Sequence, residues 1–240
     1  MADPIKIDVW SDVACPWCYI GKRNLDAALD AFATDHPDTP VEVEYRSFEL
    51  QPDAPESFDG TIAEYLSTTR GMPEDQVAAM LERPRQAAEQ AGIEMRFDRL
   101  RPARTTRAHE LLHLAKAGGH QAELNELMMK ANFEEGRSLG DPDELADLAV
   151  EAGIDRGEAV AALESGEYRD AVVADREKAF EYGIGGVPFF VVADRFGIAG
   201  AQPAEVLRQA MEQAGAEAQA DGEEAPEARP GARHARHRPL

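Results

Sequence analysis

The stretch from Asp12 to Lys22, "DVACPWCYIGK", contains Cys15 and Cys18, which are the two cysteines of the 240-residue chain. The residues up to Val13 alternate between apolar and polar and are rich in β-branched side chains, so they are predicted to form a strand. Apolar residues then recur at helical spacing, and a proline between the cysteines suits a first helical position, where its missing N–H is not needed. The cysteine pair is therefore predicted to lie where a strand passes into a helix.

A C-x-x-C motif at the start of a helix has the chemistry of a redox pair. Cys15 is expected at the helix N-terminus, where free backbone N–H groups and the helix dipole stabilise a thiolate. Cys18 should follow one turn later, within reach of Cys15 and more deeply buried. The pattern predicts that Cys15 attacks a substrate disulfide and that Cys18 resolves the mixed disulfide. Pro16 and Trp17, between the cysteines, are predicted to contact the substrate, and Trp17 is expected to be exposed.

Two other interpretations of the cysteine pair compete with this one. A structural zinc site needs about four ligands, whereas the chain has no third cysteine and its six histidines are scattered along the sequence. No metal site is therefore predicted. Two inert core thiols are the second alternative, because cysteine is often buried. The position between a strand and a helix favours the redox pair over both.

Composition limits the class of protein and its partners. Hydrophobic residues make up 43% of the chain, which is enough for a folded core, and the formal net charge is -21. This charge disfavours nucleic acid and anionic membranes as partners, because phosphate binding needs a basic face. No signal peptide is recognisable at the start, and no stretch approaches the roughly 18 apolar residues of a membrane helix. We therefore expect a cytoplasmic protein.

The rest of the chain divides into strand-rich ends around a helical middle. Val41–Leu50 alternates like the first strand, and the resulting β-α-β order favours parallel strands. Thr61–Tyr182 shows almost only helix signals. "FFVV" and "FGIAG" then flank a turn and predict an antiparallel hairpin, which is followed by an amphipathic helix over Pro203–Gly215. Few large apolar residues follow, so 216–240 is predicted to be a disordered tail.

A second candidate element for the site is "GIGGVPFF", Gly183–Phe190. Pro188 stands directly before a β run and could begin an edge strand. It could equally follow a cis peptide bond, which is usually a deliberate feature of a fold. The residues alone favour neither alternative.

Taken together, these elements resemble the DsbA-like branch of the thioredoxin superfamily, and more closely the FrnE-like oxidoreductases. Those are related to 2-hydroxychromene-2-carboxylate isomerases and kappa-class glutathione transferases. The matching segments are "SDVACPWCYIGK", "RAHELLH", "FEEGRSLGDPDEL", "ALESGEY" and "GVPFFVVADRFGIAGAQPAEV". The resemblance implies an α/β, thioredoxin-like fold with a large all-helical insertion domain. Its two thioredoxin-like parts would be 1–55 and 183–215, and the insertion would be 56–182.

The resemblance also implies a function. It implies a DsbA-like protein disulfide oxidoreductase or isomerase that acts on a cysteine-containing protein or a small thiol. A redox-active disulfide would replace a cofactor, and glutathione is a candidate co-substrate. Val187–Pro188 would be a cis peptide beside the cysteines, and the Val187 backbone would pair with an extended substrate segment.

The same relatives imply an alternative, a glutathione-dependent isomerase or transferase. Two departures from their pattern count against it: they commonly carry Ser in place of Cys15, and Asn in place of Arg104. A non-catalytic binding module is a third hypothesis, which the retained C-x-x-C motif disfavours. His109 is a candidate acid–base group, but a histidine on a helix face is more often structural.

Overall fold

The computed structural model describes residues 4–224. Within them a four-stranded sheet has the order β2-β1-β3-β4, formed by β1 (Ile5–Ser11), β2 (Val41–Ser47), β3 (Phe189–Val192) and β4 (Phe196–Ala199). The first strand pairs in parallel with β2 and antiparallel with β3, and β3 pairs antiparallel with β4. The predicted parallel β-α-β unit and the predicted hairpin are both confirmed.

Helices make up most of the remaining regular structure in the described part of the chain. One helix joins β1 to β2, seven lie between β2 and β3, and one follows β4, in agreement with the predicted α/β fold and its large helical insertion. A short π-helix over Ala131–Glu135 directly continues the fifth helix. The α-helices are α1 (Pro16–Asp35), α2 (Ile62–Thr69), α3 (Glu74–Gln90), α4 (Thr106–Gly118), α5 (Gln121–Lys130), α6 (Pro142–Glu151), α7 (Arg156–Ser165), α8 (Arg169–Glu181) and α9 (Ala204–Glu224).

One face of the sheet packs against α1 and α9. Ile7 and Val9 of the central strand are buried there together with Phe32 of α1 and Met211 of α9. Their alternation with polar residues is the period-two pattern that predicted the strand. This packing fixes the position of β1 relative to α1, and hence the position of the turn that joins them.

The helical insertion covers the other face at the carboxyl end of β1. Trp10 is fully buried, and its Nε1 donates to the backbone oxygen of Asp175 in α8 at 2.9 Å. The Asp175 carboxylate accepts from the backbone N–H of Ser47 at 2.9 Å and forms an ion pair with Arg46 at 3.3 Å. The insertion is thus joined to the sheet beside the strand that leads to the cysteines.

The predicted end of the last helix is wrong. The sequence pattern ends that helix at Gly215, but α9 continues through Glu224, so the first part of the predicted tail 216–240 is helical. Alanine, glutamate and glutamine follow Gly215, and these residues favour a helix even where no apolar face is present. The remaining part of the predicted tail, 225–240, lies outside the described residues.

We predict that Met211→Ala lowers the free energy of unfolding by about 2–5 kcal/mol, because it leaves a cavity between α9 and the sheet. The matched control is Val206→Ala on the same helix, since Val206 is 38% exposed and Met211 is fully buried. The control is expected to change the stability by no more than about 0.5 kcal/mol. Urea unfolding measures both, and equal losses would contradict the docking of α9 described above.

Candidate active site

The two cysteines lie at the N-terminus of α1, as predicted. Cys15 is the N-cap residue with an extended backbone, and Pro16 takes the first helical position. The backbone N–H of Cys18 donates to the Cys15 carbonyl at 3.0 Å, which begins the helix. Both side chains are free thiols in this structure. The motif is therefore held in one helical turn, with the two residues that separate the cysteines inside that turn.

The predicted difference in exposure between the cysteines is not observed. Cys15 is 3% exposed and Cys18 is 2% exposed, so both are buried. The difference lies in access, because Cys15 lines a cavity and Cys18 does not line that cavity. The prediction relied on the general exposure of helix N-termini and did not foresee that the helical insertion covers this one.

Burial has a clear effect on the second thiol. It raises the pKa of Cys18 well above its usual value, and the neighbouring Cys15 raises it further. The backbone N–H of Asp12, 3.5 Å from Cys18 Sγ, and the Ser11 side chain lower this pKa, but their effect is smaller than the increase caused by burial and Cys15. Cys18 is therefore a protonated thiol near neutral pH.

The turn before β3 faces the first thiol. The Val187–Pro188 peptide bond is cis, as the resemblance implied. The Cys15 thiol donates to the carbonyl oxygen of Val187 at 3.9 Å. Pro188 packs against α1 at Gly21, where an added Cβ would lie 2.9 Å from Pro188 Cγ, so only glycine allows this approach. The structure thus brings together the two sequence elements singled out for the site.

A cavity of about 290 Å³ begins at Cys15 and extends between α1 and the helical insertion. Pro16 and Trp17 line it, and Trp17 is 38% exposed, which agrees with its predicted exposure. Its walls are mainly apolar, and polar side chains occur at a few positions. The apolar lining includes Leu50, Ala54, Tyr65, Leu66, Met80, Phe97, Leu100 and Phe133, and the polar lining includes Asp12, Gln51, Arg101, Thr105 and Asn132.

A buried carboxylate beside the cysteines was missed by the sequence analysis. Asp12 is buried, and its oxygens accept from the backbone N–H groups of Ala14 at 3.2 Å and Leu50 at 2.8 Å. His109 Nε2 lies 3.5 Å from Asp12 Oδ1. The sequence feature that could have identified Asp12 is an acidic residue directly after a strand and shortly before the C-x-x-C motif.

These contacts decide the charge of Asp12. Burial by itself would raise the pKa of Asp12, but the His109 ring and the two backbone N–H groups lower it below its usual value. Asp12 is therefore ionised, and its own carbonyl accepts from the backbone N–H of Cys15 at 3.0 Å. His109 Nε2 faces this carboxylate, so the structure places His109 at the base of the site.

Other candidates from the sequence lie outside the cysteine site. Arg104 Nε donates to the carbonyl of Ala54 at 2.9 Å and so supports a loop of the cavity wall. Among residues 4–224 no cluster of three or more His, Cys, Asp or Glu side chains is placed to hold a metal ion. None of the helices in this part of the chain is long and apolar enough to cross a membrane.

Comparison with known proteins places the chain among thioredoxin-like proteins. The family model described as "DSBA-like thioredoxin domain" matches residues 6–212. The chain is 31% identical over 212 residues to the uncharacterized protein YwbO of Bacillus subtilis, covering 86% of this chain and 96% of that protein. It is 39% identical to a probable DsbA oxidoreductase of Streptomyces coelicolor, whose crystal structure superposes with a TM-score of 0.80 over 89% of this chain and 91% of that one.

A more distant structure shares the fold. The cytosolic disulfide reductase DsbM of Pseudomonas aeruginosa, solved with GSH, is 19% identical. It superposes with a TM-score of 0.59 and covers 91% of this chain and 99% of that one. At this identity the similarity shows that the thioredoxin-like architecture, including the helical insertion, is common to both chains.

The Asp12 carboxylate makes a testable contribution to stability. The pKa of Asp12 is lower in the folded chain than its unperturbed value of 3.8, so its contribution is present above that pH and is lost as the pH falls. Asp12→Asn should reduce the free energy of unfolding by about 2–4 kcal/mol at pH 7. The difference in the free energy of unfolding between this variant and the unsubstituted protein should become smaller toward pH 3. Urea unfolding at both pH values measures it.

The control for this experiment is Asp53→Asn, because Asp53 is exposed. The free energy of unfolding of this control should differ little from that of the unsubstituted protein at both pH values. A loss for Asp12→Asn that is equal at pH 7 and pH 3 would mean that the buried carboxylate does not contribute through its charge.

Proposed function

Because this chain belongs to the DSBA-like thioredoxin domain family, we propose that it is a thiol–disulfide oxidoreductase that uses Cys15 and Cys18 as its redox pair. One observation carries the proposal. Cys15 caps α1 and lines a cavity, while Cys18 lies directly behind it as a buried thiol. A pair with one accessible sulfur and one sheltered sulfur suits a two-step exchange.

The first step uses Cys15. Its thiolate attacks one sulfur of a substrate disulfide, a bond forms between Cys15 Sγ and that sulfur, and the other substrate sulfur leaves as a thiolate. Backbone N–H groups at a helix N-terminus favour negative charge, and the first turn of α1 contains no acidic side chain. The position of Cys15 therefore suits the attacking sulfur.

The second step uses Cys18. Its thiol loses a proton and attacks Cys15 Sγ, which forms the Cys15–Cys18 disulfide and releases the second substrate sulfur as a thiolate. The substrate gains two electrons and the enzyme loses two. The raised pKa of Cys18 makes this proton loss a demanding part of the cycle. In reverse, the same two steps oxidise a dithiol.

The proposed partners are cysteine-containing proteins or small thiols in the cytoplasm. Proteins of this family act on cysteine-containing substrates, and a net charge of -21 is unsuited to phosphate-rich partners. Glutathione is proposed as a co-substrate. Support comes from the structural neighbour that is named as a cytosolic disulfide reductase and was solved with GSH.

A glutathione-dependent isomerase or transferase is the second candidate. The mainly apolar cavity beside Cys15 favours it, because such a cavity suits a small apolar substrate. In that reaction Cys15 would bind or activate glutathione and Cys18 would not be needed. A Cys18→Ser variant that no longer catalyses its reaction therefore supports the oxidoreductase. A Cys18→Ser variant that remains catalytically active supports the alternative.

We predict that mild oxidation converts the two thiols into a reversible intramolecular disulfide. The expected result is the loss of two hydrogens from the intact mass and complete resistance to alkylation by iodoacetamide. Adding dithiothreitol should restore both thiols. Cys18→Ser is the control, because it cannot form this bond. Two thiols that stay free after oxidation would refute the redox cycle.

We also predict different roles for the cysteines in trapping experiments. Cys18→Ser should accumulate mixed disulfides through Cys15, because the sheltered thiol that normally resolves them is absent. Cys15→Ser should trap little, because the remaining thiol is buried and mostly protonated. Non-reducing gels and peptide mass spectrometry identify the linked cysteine. Efficient trapping through Cys18 would reverse the assignment.

A further inference from the structure

We propose that the cavity beside Cys15 binds a small disulfide whose apolar body carries a carboxylate, so that this class of molecule is a substrate of the redox pair. The inference rests on the proposed oxidoreductase function and adds the chemical class of its substrate. Three independent features of the cavity carry it: its small volume with mainly apolar walls, an unpaired buried amide and an unpaired guanidinium.

The cavity is shaped for a small molecule. Its volume of about 290 Å³ is near the lower end of the range of about 300–1,000 Å³ found for small-molecule sites. Leu66 of α2, Met80 of α3, Phe97 and Leu100 line it. Cys15 opens into the same space, so a ligand seated among these side chains would hold its sulfur near the nucleophile.

Asn132 supplies a hydrogen-bond donor that lacks an acceptor. It lines the cavity, is 2% exposed, and its Nδ2 has no hydrogen-bond partner among the described residues. A buried polar group without a partner is unfavourable for folding. Asn132 belongs to the π-helix, a rare conformation that is frequent at functional sites. An oxygen acceptor on the ligand would satisfy this amide.

Arg101 supplies a positive charge. It lines the cavity, is exposed, and its side chain makes no ion pair or hydrogen bond with any described residue. The chain has a net charge of -21, and nearby Arg96 is paired with Asp98 at 3.1 Å. A guanidinium binds a carboxylate with two parallel hydrogen bonds. An anionic oxygen on the ligand is therefore the group that this wall of the cavity selects.

One acidic group also lines the cavity and must be considered. Asp12 is an anion, but its two oxygens already accept from the backbone N–H groups of Leu50 and Ala14, and its Oδ1 lies 3.5 Å from His109 Nε2. Asp12 lies beside the cysteines. Arg101 is far from them in the sequence and directly follows Leu100, one of the apolar residues that line the cavity. The ligand's sulfur is therefore expected beside Cys15 and its carboxylate beside Arg101.

The probe is 5,5′-dithiobis(2-nitrobenzoate), a disulfide with two aromatic carboxylates. Reduced full-length protein is mixed with it in single-turnover experiments. Cys15 attacks one sulfur, one thionitrobenzoate leaves, and the attack of Cys18 releases the second. The two released thiolates balance the enzyme disulfide formed. The comparison substrates are neutral aromatic 4,4′-dithiodipyridine and small polar 2-hydroxyethyl disulfide.

We predict that the rate saturates with the carboxylate probe and that Arg101→Gln raises its half-saturating concentration about threefold to tenfold. The same variant should leave the neutral dithiodipyridine unchanged. Arg99→Gln is the matched control, because it removes the same charge two residues away and Arg99 does not line this cavity. The role of Arg101 would be overturned if the half-saturating concentration rose equally for both probes, or equally in Arg101→Gln and Arg99→Gln.

Two further variants test the cavity itself. Met80→Trp should slow both aromatic disulfides at least about fivefold by filling the space, but not 2-hydroxyethyl disulfide. Val150→Trp, on an exposed site of α6, is its control. Asn132→Leu should weaken binding of the carboxylate probe while the melting temperature stays equal or rises, because an unpaired polar group is removed. Weaker binding with a lower melting temperature would indicate a structural role for Asn132.

The outcomes separate this inference from the function on which it rests. If all three disulfides react without saturation and no cavity variant alters their rates, the substrate class is wrong, although the redox pair stands. If the protein releases one thionitrobenzoate but forms no intramolecular disulfide, the redox function is wrong and the substrate inference is overturned with it.

Discussion

The buried Asp12 carboxylate is the contact on which the geometry of the site depends. Asp12 directly follows the central strand β1. Its carboxylate accepts a hydrogen bond from the backbone N–H of Leu50, in the loop after β2, and lies beside His109 of the helical insertion. Its carbonyl accepts from the backbone N–H of Cys15. Through its carboxylate and its backbone carbonyl, Asp12 therefore joins both parts of the fold to the start of α1. A buried charge is stable only with such partners, so the three segments must assemble together.

The insertion makes the N-terminus of α1 part of a cavity. In its absence the first turn of α1 would face solvent, as the sequence pattern suggests. The insertion instead encloses Cys15 between apolar walls, and the anchoring of Trp10 to α8 holds it against the sheet. The cis peptide before Pro188 completes the site from the other side, with the carbonyl of Val187 toward the Cys15 thiol. Access to Cys15 is thus a property of the domain arrangement.

Three polar or titratable groups at the site are in unusual states. Cys18 is a thiol whose pKa burial raises, Asn132 has an amide nitrogen without a partner, and the Asp12 carboxylate is buried. Only the unpaired Asn132 amide is unfavourable for folding, whereas the Asp12 carboxylate is stabilised by its partners and the Cys18 thiol is uncharged. Asp12, Cys15 and Asn132 line one cavity, and titratable groups with shifted pKa values in a cleft are typical of functional sites.

The sequence by itself determined the local elements: the strand before Cys15, the helix begun by Pro16, and the parallel and antiparallel pairings. Each depends on short-range periodicity and turn chemistry, which a single chain displays directly. Only the tertiary structure decided the equal burial of Cys15 and Cys18, the contact of Asp12 with His109 and the position of Asn132 at the cavity. These features join residues far apart in the chain, and their geometry depends on how the insertion packs, which no local pattern encodes.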